Sequence, residues 1–191
     1  MIGRTIILQV VNLLFNLTPL TRWYGLRATL LRMAGVDCSP SARIVASTRI
    51  VATNVSIGED TFIGHQVLIT GNENARIVIG RSVDIAPRVV ILSGTHEIDM
   101  HSYHSAGPGK ALEVHVEDGV WIGANSTVVP GVTIGHKAVI GAGSVVVSDI
   151  PPMTIAAGNP CRPIKVWDDS SKEWRRVAER VTSPATGNNS I

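Results

Sequence analysis

From Val116 onward a branched aliphatic residue returns at every sixth position without a slip: Val116, Ile122, Val128, Ile134, Ile140 and Val146. Four residues after each comes a small or branched residue, at Val120, Ser126, Val132, Ala138, Ser144 and Ile150. A period of six fits neither the alternation of an ordinary strand nor the 3.6 of a helix, and sustained self-similarity signals a repeat architecture. Extended towards the amino terminus, the frame takes in Ile79, Ile85 and Ile91, then Ile57, Ile63 and Ile69, then Cys38, Ile44 and Ile50. That makes fifteen hexads in five groups of three.

Three hexads per turn predict an all-β solenoid, a parallel β-helix of about five triangular coils in which each side is one short strand. Every frame aliphatic then points to the axis, and each coil covers its neighbour. Such a prism has a narrow bore that stacked Ile and Val fill and large rings do not. The composition agrees, since only eight of 191 residues are aromatic while 45% are hydrophobic. Gly58, Gly64, Gly80, Gly123, Gly135 and Gly141 each directly follow a frame aliphatic and are expected at corners that require positive φ.

The frame is interrupted three times. One extra residue near Val55 and four between Gly71 and Val78 read as corner adjustments. The third interruption, Glu97 to Glu113, is a seventeen-residue loop rich in Gly, Ser and His. A solenoid tolerates such an extrusion at a corner, and long ordered loops commonly carry function. The chain therefore divides into an N-terminal helical segment (1–37), the β-helix (38–151) with its loop (97–113), a C-terminal cap (152–182) and a disordered tail (183–191). Within the cap, Asp168 to Val181 is expected to form a helix with Trp174, Val177, Ala178 and Val181 on one face, covering an open coil end.

At the amino terminus, Ile6 to Leu17 is mostly apolar but shorter than the roughly 20 residues that span a bilayer. Gln9, Asn12 and Asn16 recur at helical spacing and make a polar stripe. The segment following the run does not resemble a signal-peptide cleavage site. A helix packed on the repeat is expected, with peripheral membrane contact as the alternative. A second helix, Arg22 to Ala34, is expected to pack through Trp23, Leu26, Leu30 and Met33 and to stop at Gly35. The net charge of +2, without a dense Lys/Arg run, excludes nucleic acid as a partner. Cys38 and Cys161 form no disulfide or metal pattern, which favours a reducing cytoplasm.

The stretch Val116 to Lys165 contains VWIGA, PGVTIG, GAGSVV, DIPP and GNPCRPI. It resembles the carboxy-terminal signature of the hexapeptide-repeat acetyltransferases, among them the galactoside, maltose and nodulation-factor O-acetyltransferases and the xenobiotic acetyltransferases. The colanic-acid and capsule acetyltransferases are similar at the front as well, where an RxxLLRxxG pattern runs from Arg27 to Gly35. Together the resemblance covers about residues 22 to 166. It implies a left-handed β-helix, a homotrimer and transfer of the acetyl group of acetyl-CoA, without a metal, to a hydroxyl of a sugar. The expected setting is capsule, exopolysaccharide or O-antigen assembly in the cytoplasm or at the inner face of the membrane.

By the same resemblance His96 is the general base. The choice is chemically sound: a sugar hydroxyl is a poor nucleophile near neutral pH, and an imidazole, ordinarily of pKa about 6.5, can take its proton as attack on the thioester begins. The backbone N–H of Ala124 takes the oxyanion position, where some members add a serine hydroxyl. Trp121 matches the position flanking the pantetheine arm, and Ala142 the one whose backbone meets its amides. Arg162 and Lys165 match the basic positions near the adenosine phosphates. No acyl-enzyme is expected, because neither cysteine matches a catalytic position. Glu97 and Asp99 are near enough in sequence to orient the ring of His96, although a carboxylate in such a loop is more often simply solvated, and the sequence leaves the two readings open.

Three other readings compete. An amino group on an amino sugar or a xenobiotic is an alternative acceptor. His96 and His101 have a spacing similar to that of the zinc-dependent β-helical carbonic anhydrases, but those enzymes lack the DIPP and GNPCRPI ending. A non-catalytic β-helical scaffold would have no need for His96, Trp121 and the basic ending.

Overall fold

A computed structural model describes residues 2–52 and 54–177, with side chains from residue 6 onward. Helices α1 (Ile2–Phe15) and α2 (Tyr24–Met33) lead into the repeat. The first coil is β1 (Asp37–Cys38), β2 (Arg43–Ile44) and β3 (Arg49–Ile50); the second is β4 (Val55–Ile57), β5 (Phe62–Ile63) and β6 (Leu68–Thr70). The third is β7 (Ile77–Ile79), β8 (Asp84–Ile85) and β9 (Val90–Leu92). A hairpin of β10 (Gly94–Ile98) and β11 (Ala106–Ala111) follows. The fourth coil is β12 (Val114–Val116), β13 (Trp121–Ile122) and β14 (Thr127–Val128), and the fifth β15 (Thr133–Ile134), β16 (Val139–Ile140) and β17 (Val145–Val146). The chain then adds β18 (Thr154–Ala157), β19 (Arg162–Asp168) and β20 (Glu173–Arg176).

These strands stack into three parallel faces of a left-handed prism. The first face is β1-β4-β7-β12-β15, the second β2-β5-β8-β13-β16 and the third β3-β6-β9-β14-β17. All fifteen frame residues are at most 3% exposed and form one continuous column of core. Each buried Ile or Val contributes about 1.5–3 kcal/mol relative to exposure, so the column is the main source of cohesion in coils whose strands are too short to stand alone.

The corner glycines have a different cause from the one expected. Gly123 has no positive φ; a Cβ there would lie 2.5 Å from the Ala142 backbone nitrogen of the next coil. Close approach between coils excludes the side chain. The left-handed conformation instead falls three residues after the frame aliphatic, at Asp60, Gln66, Asn125 and Lys137 among others.

The N-terminal helices close the open end of the first coil. Helix α1 buries Leu8, Val11 and Phe15, and Asn12 pairs with the free edge of β3, its Nδ2 donating to Ile50 O (2.7 Å) and its Oδ1 accepting from Ile50 N (3.1 Å). Helix α2 stops at Gly35 (φ 89°) as expected, but packs through a different face: Arg27, Ala28 and Leu31 are buried, while Trp23, Leu26 and Met33 are exposed. The cause is Arg27, whose guanidinium donates to the carbonyls of Ile44, Pro19, Leu20 and Arg22 and to Thr18 Oγ1. It thereby satisfies the edge of β2 and the turn between the helices, and burial lowers its pKa from the ordinary value.

Two segments differ from the sequence expectation. The extruded loop is an ordered antiparallel hairpin that begins at Gly94, so His96 lies on its first strand. The expected helix from Asp168 to Val181 is absent as far as residue 177: β19 and β20 form an antiparallel hairpin that continues the second face through β18. Trp167 and Trp174 pair across it, ring centroids 5.4 Å apart and edge-on. Asp168 accepts hydrogen bonds from Ser170 N and Oγ at the turn, which holds its carboxyl down at about 2. The tail expected from 183 to 191 lies outside the described residues.

Candidate active site

The third coil ends at β9, and buried Ser93 carries the chain round the edge into the hairpin, its Oγ accepting from Asn72 N. Along the hairpin Thr95 pairs with Lys110 and His96 with Gly109, and the register slips between His96 and Ile98. This bulge brings the ring of His96 against the opposite strand, with Nδ1 2.8 Å from Gly107 O. A carbonyl oxygen only accepts, so Nδ1 carries the proton of the neutral ring and Nε2 is left as the free acceptor. His96 borders a cleft of about 350 Å³ shared with Thr70, Asn72, Thr95, Gly109 and Lys110.

Of the two readings left open for Glu97 and Asp99, the structure supports the loop carboxylate, since His96 Nδ1 meets Gly107 O and neither side chain. Glu97 pairs with Lys110 at 2.9 Å. Asp99 accepts from the backbone of His101 (2.7 Å) and Ser102 (3.2 Å), and these bonds hold its carboxyl below the usual range. Gly107 is the residue that sequence reasoning missed. Its signal was the Gly107-Pro108-Gly109 run, since a Cβ on Gly107 would meet Asp99 Cβ at 3.0 Å and Glu97 O at 3.1 Å.

The remaining site candidates gather on another edge, between the second and third faces. Ala124 and Ala142 sit one coil apart at that corner, where Ala124 O accepts from Gly143 N (2.8 Å) and Gly123 lets the coils meet. Neither the Ala124 nor the Ala142 N–H finds an acceptor among the described residues. Trp121 approaches the same corner along β13, 56% exposed, its strand position between Asp84 and Val139. Its ring lines a shallow groove with Phe62, Asp84 and Pro87. Arg162 pairs with Ala157 at the end of β18, which lies against Gly141, the residue before Ala142, and Lys165 lies further along β19 opposite Ile155.

One chain thus presents an imidazole nitrogen with no protein partner on one edge and two N–H groups unpaired among the described residues, an exposed indole and two cations near another. The third face separates the two edges. A side of the prism, about five rises of 3.3 Å, is on the order of 15 Å long, well beyond the hydrogen-bond reach that joint action on one reacting centre requires. Among the described residues no three of His, Cys, Asp and Glu gather as a metal site, His96 and His101 included.

Residues 113–148 match the family model for bacterial transferase hexapeptide, six repeats. The galactoside O-acetyltransferase of Escherichia coli K12 is 36% identical over 122 residues, 64% of this chain and 59% of that protein. The crystal structure of a maltose O-acetyltransferase from Clostridium difficile 630 is similar over 88% of both chains, at 33% identity and a TM-score of 0.73. A hexapeptide-repeat acetyltransferase from Vibrio cholerae complexed with acetyl coenzyme A is similar over 87% of this chain and 88% of that one, at 27% identity and a TM-score of 0.68. The chain spans between 53% and 59% of the length of three curated relatives it matches.

Proposed function

Since the chain belongs to the hexapeptide-repeat acetyltransferase family, we propose that it transfers the acetyl group of acetyl-CoA to a hydroxyl of a sugar, with His96 as general base. The observation that carries this reading is the hydrogen bond from His96 Nδ1 to Gly107 O, which leaves Nε2 free to accept the hydroxyl proton. The hydroxyl oxygen attacks the thioester carbonyl as its proton moves to Nε2. The tetrahedral oxyanion accepts from Ala124 N–H, and its collapse expels the coenzyme A sulfur, which recovers the proton from the imidazolium. No acyl-enzyme intervenes.

Acetyl-CoA is a substrate here, and the groups near the second edge suit it. Ala142 N–H supplies a donor for an amide of the pantetheine arm, Trp121 an apolar wall beside it, and Arg162 and Lys165 positive charge for the phosphates. Because His96 and Ala124 lie on different edges of one prism, the reading requires a second copy to bring them together. A homotrimer does so three times, with His96 from one chain and the Ala124 edge from its neighbour. The sugar, belonging to capsule, exopolysaccharide or O-antigen assembly, would enter the cleft beside Asn72 and Lys110. Dependence on acetyl-CoA is consistent with a reaction in the cytoplasm or at the inner face of the membrane.

Thiol release from acetyl-CoA across a panel of sugars tests the assignment. His96→Ala is expected to lose about 10²–10⁴ in turnover while keeping its affinity for coenzyme A. Near-normal turnover in that variant would refute the role of His96, and activity confined to amino sugars would favour N-acetylation.

A further inference from the structure

The helical lid over the first coil has a second apolar face. Helix α1 buries Leu8, Val11 and Phe15 on the prism, while Val10 and Leu13 on its other side, and Leu17 in the turn that follows Phe15, stand open to solvent, Leu17 at 80%. Leu20 and Trp23, at 55% and 59%, carry the apolar surface across the turn into α2. A patch of this kind on an otherwise well-packed chain marks a binding surface.

Charge decides what covers it. Residues 1–36 contain four arginines and no aspartate or glutamate. Arg27 is consumed internally by carbonyl groups, but Arg22 and Arg32 are exposed, next in sequence to Trp23 and Met33. A second copy of the same face would set cation against cation with no acid to meet them. An anionic surface complements both the arginines and the apolar stripe.

We propose that the α1–α2 lid is an interfacial membrane-binding face for anionic phospholipid, its arginines on the headgroups and Leu13, Leu17 and Trp23 in the outer acyl region. No described helix is long and apolar enough to cross a membrane, so the lid lies along the interface. Trp23 suits that depth, with an apolar ring and one polar N–H. Copies assembled with parallel prism axes would present their lids on one end, and the combined contact would exceed that of a single short helix. The inference does not rest on acyl transfer, because none of these residues belongs to the two edges described above.

Flotation of the full-length protein with vesicles of phosphatidylcholine, alone or mixed with phosphatidylglycerol, tests it. Binding is expected only to the mixed vesicles. Leu13→Glu/Leu17→Glu and, separately, Arg22→Glu/Arg32→Glu are expected to weaken that binding by at least about tenfold, with turnover and molecular mass unchanged. The arginine variant keeps the test decisive if the leucine variant misfolds. Absence of wild-type flotation, equal flotation on both vesicles, or dissociation of the leucine variant into monomers that still float would overturn the proposal.

Discussion

The Nδ1 atom of His96 lies 2.8 Å from the carbonyl oxygen of Gly107, so the backbone of the extruded hairpin, and no carboxylate, sets the tautomer of the proposed base. Glu97→Gln and Asp99→Asn are therefore expected to change turnover by less than about threefold and to leave the pH profile where it is. Gly107→Val forces the hairpin strands apart at Asp99 and Glu97 and is expected to lower kcat by about 10–100-fold at unchanged coenzyme A affinity. A shifted pH profile in Asp99→Asn would restore that carboxylate as the orienting group.

The Ala124 N–H has no acceptor among the described residues, and the residue before it is Gly123. Proline at 124 deletes this donor without breaking an internal hydrogen bond, and the preceding glycine tolerates the restriction that proline imposes. Ala124→Pro is expected to lose roughly 10²–10³ in kcat with a near-normal melting temperature. Full activity would show that the oxyanion is held elsewhere.

Burial pushes the Cys38 thiol up to about 11 and raises that of Cys161 as well. The neutral thiol is thus favoured in the fold. The contribution of Cys38 to stability is present below the ordinary thiol pKa of about 9 and is lost as pH rises through about 11. At pH 8 the native protein is expected to resist iodoacetamide, with both cysteines reacting after unfolding. Fast native alkylation with loss of activity would point to a thiol acyl-enzyme.

Arg27 is fully buried and serves carbonyls on β2 and on the turn between the helices. Arg27→Met leaves those carbonyls unsatisfied and is expected to cost about 2–4 kcal/mol in unfolding free energy. Arg27→Lys recovers only part, since an ammonium offers three donors to the guanidinium's five. Denaturant titration of the three proteins checks the order.

The prism was legible because its bore admits so little: each frame position had to be a slender apolar residue, from Cys38 to Val146, and the period showed through the corner insertions. The proposed base, His96, was singled out only through the resemblance, as a histidine beside an extruded loop. What misled were positions where one feature has two causes. Trp174 and Val177 have helical spacing, but the Asp168–Ser170 turn folds Trp174 back onto Trp167. On α2 an arginine took the face that Trp23, Leu26 and Met33 were expected to bury, because the coil edge offered carbonyls that only a fan of donors could satisfy. Glycine after each aliphatic suggested backbone freedom, whereas the cause is the neighbouring coil.

In the proposed trimer His96 of one chain acts with Ala124 of another, and subunit mixing tests this most directly. His96→Ala and Ala124→Pro chains, each nearly inactive alone, are unfolded together, refolded and assayed for thiol release. A shared site in a trimer predicts that about one site in four regains both intact groups, with activity near a quarter of wild type. Mixed assemblies that form but stay as inactive as either parent would contradict it and place the whole reaction within a single chain.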